Sequence, residues 1–124
     1  MKKIISSPKA PKAVGPYSQA VQAGNTLYIS GQLPVDAQTG KFPDDVAAQA
    51  EQALKNIGYI LEEAGYGYED VVKSVVYLQD MNDFAAMNEV YARFYTKDMP
   101  ARVCFQVAKL PLGVKVEIEA IAVK

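Results

Sequence analysis

The sequence predicts a single α+β domain in which two helices cover one face of a mixed β-sheet. Two long segments, 44–64 and 82–95, have helical periodicity, and each follows a run typical of a strand. Two further strand-like runs, 102–107 and 116–121, end the chain. Because 124 residues is the length of one domain with a real core, we expect residues 1–124 to fold as one unit.

Short strands and a loop are expected before the first helix. Strand signals cover residues 17–21 and 27–30, and the dipeptide Gly24-Asn25 between them is of the kind that joins hairpins. Prolines and a glycine then indicate a loop over residues 34–43.

Both helices show an apolar stripe with suitable ends. The first has acidic residues at its start and Gly65 at its end, and the second opens at Asn82 or Asp83. The first stripe consists of Val46, Ala50, Ala53, Leu54, Ile57, Ile60, Leu61 and Ala64. The second consists of Phe84, Met87, Tyr91, Phe94 and Tyr95, which we interpret as core positions at helical spacing.

The run 71–78 is apolar on both faces, which is typical of a strand inside a sheet. Since both helices follow strands, two right-handed crossovers place them on the same face of the sheet. The other face is then apolar and uncovered. The sequence therefore predicts that the chain associates with copies of itself.

Charge and composition exclude several classes of protein. Thirteen basic and fourteen acidic residues give a net charge of −1 without any run of like charge, so a nucleic-acid partner is not expected. No apolar stretch approaches the roughly 20 residues of a membrane span. The single cysteine, Cys104, cannot form an internal disulfide, which agrees with a reducing compartment. We expect a soluble, cytoplasmic protein.

The chain contains no histidine, which removes Ser-His-Asp and Cys-His catalysis and the zinc sites that use histidine. With only one cysteine as well, a zinc site is not expected. No Gly-rich nucleotide motif is present. We therefore expect neither a metal nor a nucleotide cofactor, and acid–base chemistry must come from Asp, Glu, Lys, Tyr or the thiol.

Charged residues interrupt the two C-terminal strands. Arg102 alternates with apolar residues on the first, and Glu117 and Glu119 do so on the second. Burying such charges is costly unless they are paired or used on a ligand. Two interpretations are open: Arg102 binds an anion, or Arg102 and Glu117 form a structural ion pair. Glu119 is expected to be structural. Backbone N–H groups are the candidate hydrogen-bond donors to its carboxylate.

Five segments carry a resemblance to a known family: Gly15-Pro16-Tyr17-Ser18-Gln19-Ala20, Ile29-Ser30-Gly31-Gln32-Leu33-Pro34, Asn82-Asp83-Phe84 with Asn88, Pro100-Ala101-Arg102, and Val116-Glu117-Ile118-Glu119-Ala120. Nearly end to end, the chain resembles the Rid (YjgF) family of reactive-intermediate deaminases, in particular the 2-iminobutanoate/2-iminopropanoate deaminase branch. The arginine after Pro-Ala and the Val-Glu-Ile that follows about fifteen residues later are the family signature.

The resemblance implies a chorismate-mutase-like α+β fold and a homotrimer with active sites between subunits. It also implies hydrolysis of 2-imino acids, released by pyridoxal-phosphate-dependent dehydratases, to 2-keto acids and ammonia without a cofactor. Carried over by position, Arg102 binds the substrate carboxylate and Glu117 positions or activates water. A planar guanidinium suits a carboxylate better than an ammonium does.

The same resemblance assigns five further residues to the site. Tyr17, Ser30 and Asn88 match pocket positions, and Gly31 and Cys104 match places where backbone groups line the pocket. Tyr17 is also the second candidate for activating water, although an aromatic at that position could simply cap the core. We interpret Cys104 as wall rather than nucleophile, because no usual base is available to activate it.

Two other functions remain open at this point. A sensor of 2-keto or other small carboxylic acids would use the arginine pocket without turnover. A ribonuclease or translation inhibitor, an activity also attributed to relatives, is disfavoured by the balanced charge and the absence of histidine.

Overall fold

In the computed structural model, which describes residues 1–124, six strands form one mixed sheet and two α-helices connect three of them. The elements are β1 (Lys2–Ile5), β2 (Ala20–Ala23), β3 (Thr26–Gln32), α1 (Val46–Ala64), β4 (Val71–Leu78), α2 (Phe84–Phe94), β5 (Ala101–Gln106) and β6 (Val116–Val123). The strand order is β1-β2-β3-β6-β4-β5, in which only β4 and β5 pair in parallel. The predicted α+β class is confirmed.

The N-terminal strands differ from the prediction. The strand expected over 17–21 begins only at Ala20, because Tyr17 lies in a bend. The edge strand β1 was not predicted, since a four-residue segment that starts with two lysines has no apolar alternation. It forms by antiparallel pairing with β2, with Lys2 opposite Ala23. Whether such a short edge strand forms depends on long-range pairing and not on its local sequence.

Both helices begin close to the predicted positions. At the start of α1 the Asp45 carboxylate accepts a hydrogen bond from the Ala48 backbone N–H at 3.1 Å, which caps the helix. The helix ends at Gly65, whose φ of 81° is the left-handed conformation that glycine adopts readily. A 3₁₀ turn over Met81–Asp83 precedes α2.

The core lies between the helices and one face of the sheet. Helix α1 packs across β3 and β6, and α2 packs against α1. Large, fully buried side chains in this layer include Leu27, Leu54, Ile57, Leu78 and Ile118. Neither helix has the combination of length and apolar character needed to cross a membrane.

The other face of the sheet is uncovered within one chain, as predicted. Its exposed apolar side chains include Tyr28 at 50%, Val103 at 44% and Phe105 at 43% of their full accessibility. We call this surface the open face and the opposite surface the helix face. Self-association through the open face stays a prediction.

Candidate active site

Arg102 lies on the helix face of β5, the edge strand, where it is paired with Ser74 of β4. Its guanidinium donates a hydrogen bond to the side-chain oxygen of Asn88 at 2.6 Å. The guanidinium carbon is 4.7 Å from the centre of the Tyr91 ring and 5.6 Å from that of Phe84. Cation–π attraction and one hydrogen bond therefore hold the arginine in place.

Helix α2 supplies all three of these contacts from one face. Phe84, Asn88 and Tyr91 have the spacing of neighbours along a helix, so their side chains line up beneath the guanidinium. The sequence interpretation treated Phe84 and Tyr91 as core only, and missed their contact with Arg102. The available signal was Asn88 itself, a polar residue inside an otherwise apolar stripe. We call Arg102, Asn88 and Tyr91 the arginine cluster.

The positive charge of Arg102 has no carboxylate partner in the chain. The two ion pairs present are Lys9–Glu62 and Lys55–Glu51, at 3.0 and 3.7 Å. The arginine instead borders an open groove that Tyr95, Met99 and Pro100 also line. A partly buried guanidinium with unused donors is well suited to binding an anion.

Cys104 lies two residues after Arg102 on the same face of β5, where it is partly buried. Burial raises the pKa of its thiol, and the nearby Arg102 opposes this only in part. The thiol therefore stays protonated near neutral pH. This agrees with its interpretation as a wall residue rather than a nucleophile.

Glu117 lies on the open face of β6, directly opposite Tyr77 of β4. Its carboxylate covers Gly31 of β3, in a segment where the pairing of β3 with β6 shifts register. A Cβ atom on Gly31 would collide with that carboxylate, so the close approach requires glycine. Burial, with the neighbouring Glu119, raises the pKa of Glu117.

Ser30 and Tyr17 lie near Gly31, the residue that the Glu117 carboxylate covers. The Ser30 hydroxyl donates to the Ser18 carbonyl at 2.6 Å, which ties the segment that carries Tyr17 to β3. The half-exposed Tyr17 ring and Gly31 both border a cavity of about 180 Å³, whose apolar walls include Leu33 and Leu112. We call Glu117, Gly31, Ser30 and Tyr17 the glutamate cluster.

The two clusters lie on opposite faces of one sheet. Arg102 pairs with Ser74 and Glu117 pairs with Tyr77, and these two partners are three residues apart on β4, so their side chains point in opposite directions. The two residues therefore do not form an ion pair within one chain. Within one chain the sheet itself separates the expected carboxylate anchor from the expected proton carrier.

Glu119 points to the open face beside Glu117. Its carboxylate accepts a hydrogen bond from the Tyr77 hydroxyl, so a side chain rather than a backbone N–H group is its donor. Tyr77 packs edge-on against Phe105, with ring centres 5.4 Å apart. No three His, Cys, Asp or Glu side chains lie close enough together to hold a metal ion.

Three comparisons bear on what such a site does. The family model for endoribonuclease L-PSP matches residues 7–124. The 2-iminobutanoate/2-iminopropanoate deaminase of Mus musculus is 53% identical over 125 residues, covering 100% of this chain and 93% of the mouse protein. That of Escherichia coli is 50% identical over 127 residues, covering 100% and 99%. The crystal structure of E. coli TdcF with bound serine has a TM-score of 0.96 and 48% identity, covering 98% of each chain.

Proposed function

This chain belongs to the YjgF/Rid family, and from that membership and the site described above we propose that it hydrolyses reactive 2-imino acids. The substrates are 2-iminobutanoate and 2-iminopropanoate, and the products are the 2-keto acids and ammonia. No metal or cofactor takes part in the proposed reaction. The imines come from pyridoxal-phosphate-dependent dehydratases, and the proposed place of action is the cytoplasm.

The unpaired charge of Arg102 is the observation that carries this proposal. The guanidinium is held by Asn88 and Tyr91, which leaves donors free on the side of the groove. A 2-imino acid offers a planar carboxylate that accepts two parallel hydrogen bonds from such a fork. The bound serine of TdcF is likewise a small carboxylate, in a protein of the same fold.

Glu117 supplies the proton transfers. Its raised pKa makes the carboxylate a better base than an ordinary glutamate, since burial disfavours the charged form. As water adds to the imine carbon, Glu117 takes one of its protons, and the electrons of the C=N π bond move to nitrogen. Glu117 then returns that proton to nitrogen, which gives a carbinolamine. It next takes the hydroxyl proton and delivers it to nitrogen as the C–N bond breaks, so the products are a ketone and ammonia.

A complete site needs two copies of the chain. Because the arginine and glutamate clusters lie on opposite faces of the sheet, the arginine of one subunit must meet the glutamate of another. The apolar open face supplies a reason for that association. We propose a trimer with three such sites, and light scattering at micromolar concentration tests it. A monodisperse monomer would contradict the proposal.

The cavity beside Gly31 suits the short side chain of the substrate. Its walls include Leu33 and Leu112, and it adjoins the position where the Glu117 carboxylate lies. An ethyl or methyl group placed there would be removed from contact with water, and the imine carbon would then face Glu117. This arrangement agrees with the names of the mouse and E. coli relatives.

The test couples the protein to a threonine dehydratase and follows 2-ketobutyrate, after subtracting spontaneous hydrolysis. Arg102→Lys keeps the charge but loses the fork, so substrate capture and turnover should both collapse. Glu117→Gln should still bind a 2-keto acid, measured by calorimetry, while hydrolysis falls by roughly 10²-fold or more. Arg93→Lys, at the exposed end of α2, is the matched control.

The outcomes separate the enzyme from the sensor. Keto-acid binding without any imine hydrolysis by the parent protein would favour a sensor of small carboxylic acids. If Glu117→Gln kept near-parental turnover, water would have to be activated by the substrate or by Tyr17. If Arg102→Lys bound the keto acid as well as the parent, Arg102 would not be the residue that binds the substrate carboxylate.

A further inference from the structure

Two residues outside the proposed pocket, Tyr77 and Glu119, have contacts that the proposed reaction does not use. Tyr77 lies on β4, directly opposite Glu117 of β6. Glu119 lies two residues after Glu117 on β6, on the same face of the sheet. The Tyr77 hydroxyl donates its one proton to Glu119. Tyr77 therefore donates its hydrogen bond to Glu119 and not to Glu117, the residue directly opposite it.

We propose that Tyr77 and Glu119 are positioning residues that keep Glu117 in the state in which it exchanges a proton with water and the leaving nitrogen. This inference rests on the proposed function. It assigns different roles to two glutamates that lie two residues apart on one strand. Glu119 holds a fixed negative charge, and Glu117 carries the mobile proton.

The geometry supports this division. The hydrogen bond from the Tyr77 hydroxyl holds the Glu119 carboxylate on the open face, beside Glu117. The same bond, with burial and nearby carboxylates, raises the pKa of Tyr77 to about 12, so the hydroxyl keeps its proton at neutral pH. A fixed negative charge beside Glu117 then favours the protonated form of Glu117.

Two ionisable side chains outside the strands, Lys12 and Tyr17, line the cavity that Gly31 borders. Gly31 and Ser30 of β3 carry no charge, and Phe105 and Val103 of β5 are apolar. The remaining titratable side chains on the open face lie further along the strands: Tyr28 of β3 and Lys73 of β4 are both paired with Ile121. Arg102 of the same chain is on the helix face, and the arginine that the proposed trimer brings to Glu117 comes from another subunit in the parent and the variants alike. Glu119 is therefore the nearest charge on the surrounding strands.

Two substitutions separate the charge from the hydrogen bond. Glu119→Gln removes the negative charge, yet its amide oxygen still accepts the Tyr77 bond. Tyr77→Phe removes the hydrogen-bond donor, so the charge of Glu119 is no longer held beside Glu117. Tyr28→Phe is the matched control, because it removes a tyrosine hydroxyl from the same face on β3. Light scattering confirms that every variant keeps the oligomeric state of the parent.

The first readout is the pH dependence of kcat. Glu117 must be ionised to accept a proton from water, so activity falls on acidification as Glu117 becomes protonated. Without the neighbouring charge, Glu117 protonates at lower pH, so Glu119→Gln should move the acidic limb to lower pH. Tyr77→Phe should move the limb in the same direction, and Tyr28→Phe should leave it unchanged. At the plateau, Glu119→Gln should lose less than about tenfold, since the proton carrier is intact.

The second readout needs no activity. ¹³C NMR of protein with glutamate labelled at Cδ follows the titration of Glu117, and Glu117→Gln identifies its resonance. We expect the Glu117 midpoint to fall in Glu119→Gln. An unchanged midpoint would overturn the inference whether or not the protein is active. A parent that fails to hydrolyse the imine would overturn the proposed function, while the NMR titration would still decide the interaction between the two carboxylates.

Discussion

Mixing two inactive variants should restore activity if each site draws its arginine and its glutamate from different subunits. Arg102→Lys and Glu117→Gln disable the arginine and glutamate clusters, which the sheet separates within one chain. When equal amounts are denatured together and refolded, some interfaces combine an intact Arg102 with an intact Glu117. Such sites should be as active as those of the parent.

The structure also sets the size of the effect. In a random equal mixture, half of the subunits have an intact arginine and the other half an intact glutamate. About a quarter of the sites therefore contain both intact residues, and this holds for any ring of identical interfaces. The dehydratase-coupled assay should then show about a quarter of the parental specific activity.

A second mixture provides the control. When the parent is refolded with the Arg102→Lys/Glu117→Gln double variant, sites shared between subunits again give about a quarter of the parental activity per site. Sites contained within one chain would give about half. Mixing the folded single variants without denaturation should restore nothing if subunits exchange slowly. Refolded single variants that stay inactive together would refute the assignment of the two clusters to one site.

Four further outcomes follow from individual contacts. Gly31→Ala should lower kcat roughly tenfold or more while circular dichroism stays unchanged, because its Cβ displaces the Glu117 carboxylate; parental activity would show that the close approach is unnecessary. Cys104→Ser should stay within about threefold of the parent in the same assay, because burial keeps the thiol protonated. Exhaustive chelation should leave activity intact, and loss that zinc restores would contradict the metal-free reaction. Asp45→Ala should lower the free energy of unfolding by about 1 kcal/mol in urea titrations at fixed protein concentration, because the Ala48 N–H loses its cap; an unchanged midpoint would contradict this.

Local patterns were sufficient for the elements whose shape depends on neighbouring residues. The acidic start, the apolar stripe and Gly65 predicted α1, and the β-branched run predicted β4 with its observed bounds. Helical periodicity and strand alternation are properties of the chain itself, so they can be read without knowing the fold. The same alternation placed Arg102 and Glu117 on strands expected to be buried, where a charge must be paired or used on a ligand.

Only the tertiary structure decided which face each of these residues occupies. Alternation shows that Arg102 and Val103 point in opposite directions, but strand pairing determines which of them meets the helices. The stacking of Tyr91 on the guanidinium joins residues 11 positions apart in the chain, and the hydrogen bond from Tyr77 to Glu119 joins residues 42 positions apart. Such contacts depend on register and helix placement, which long-range packing sets. For this reason the sequence identified both charged residues of the proposed site, and the fold alone showed that one chain cannot bring them together.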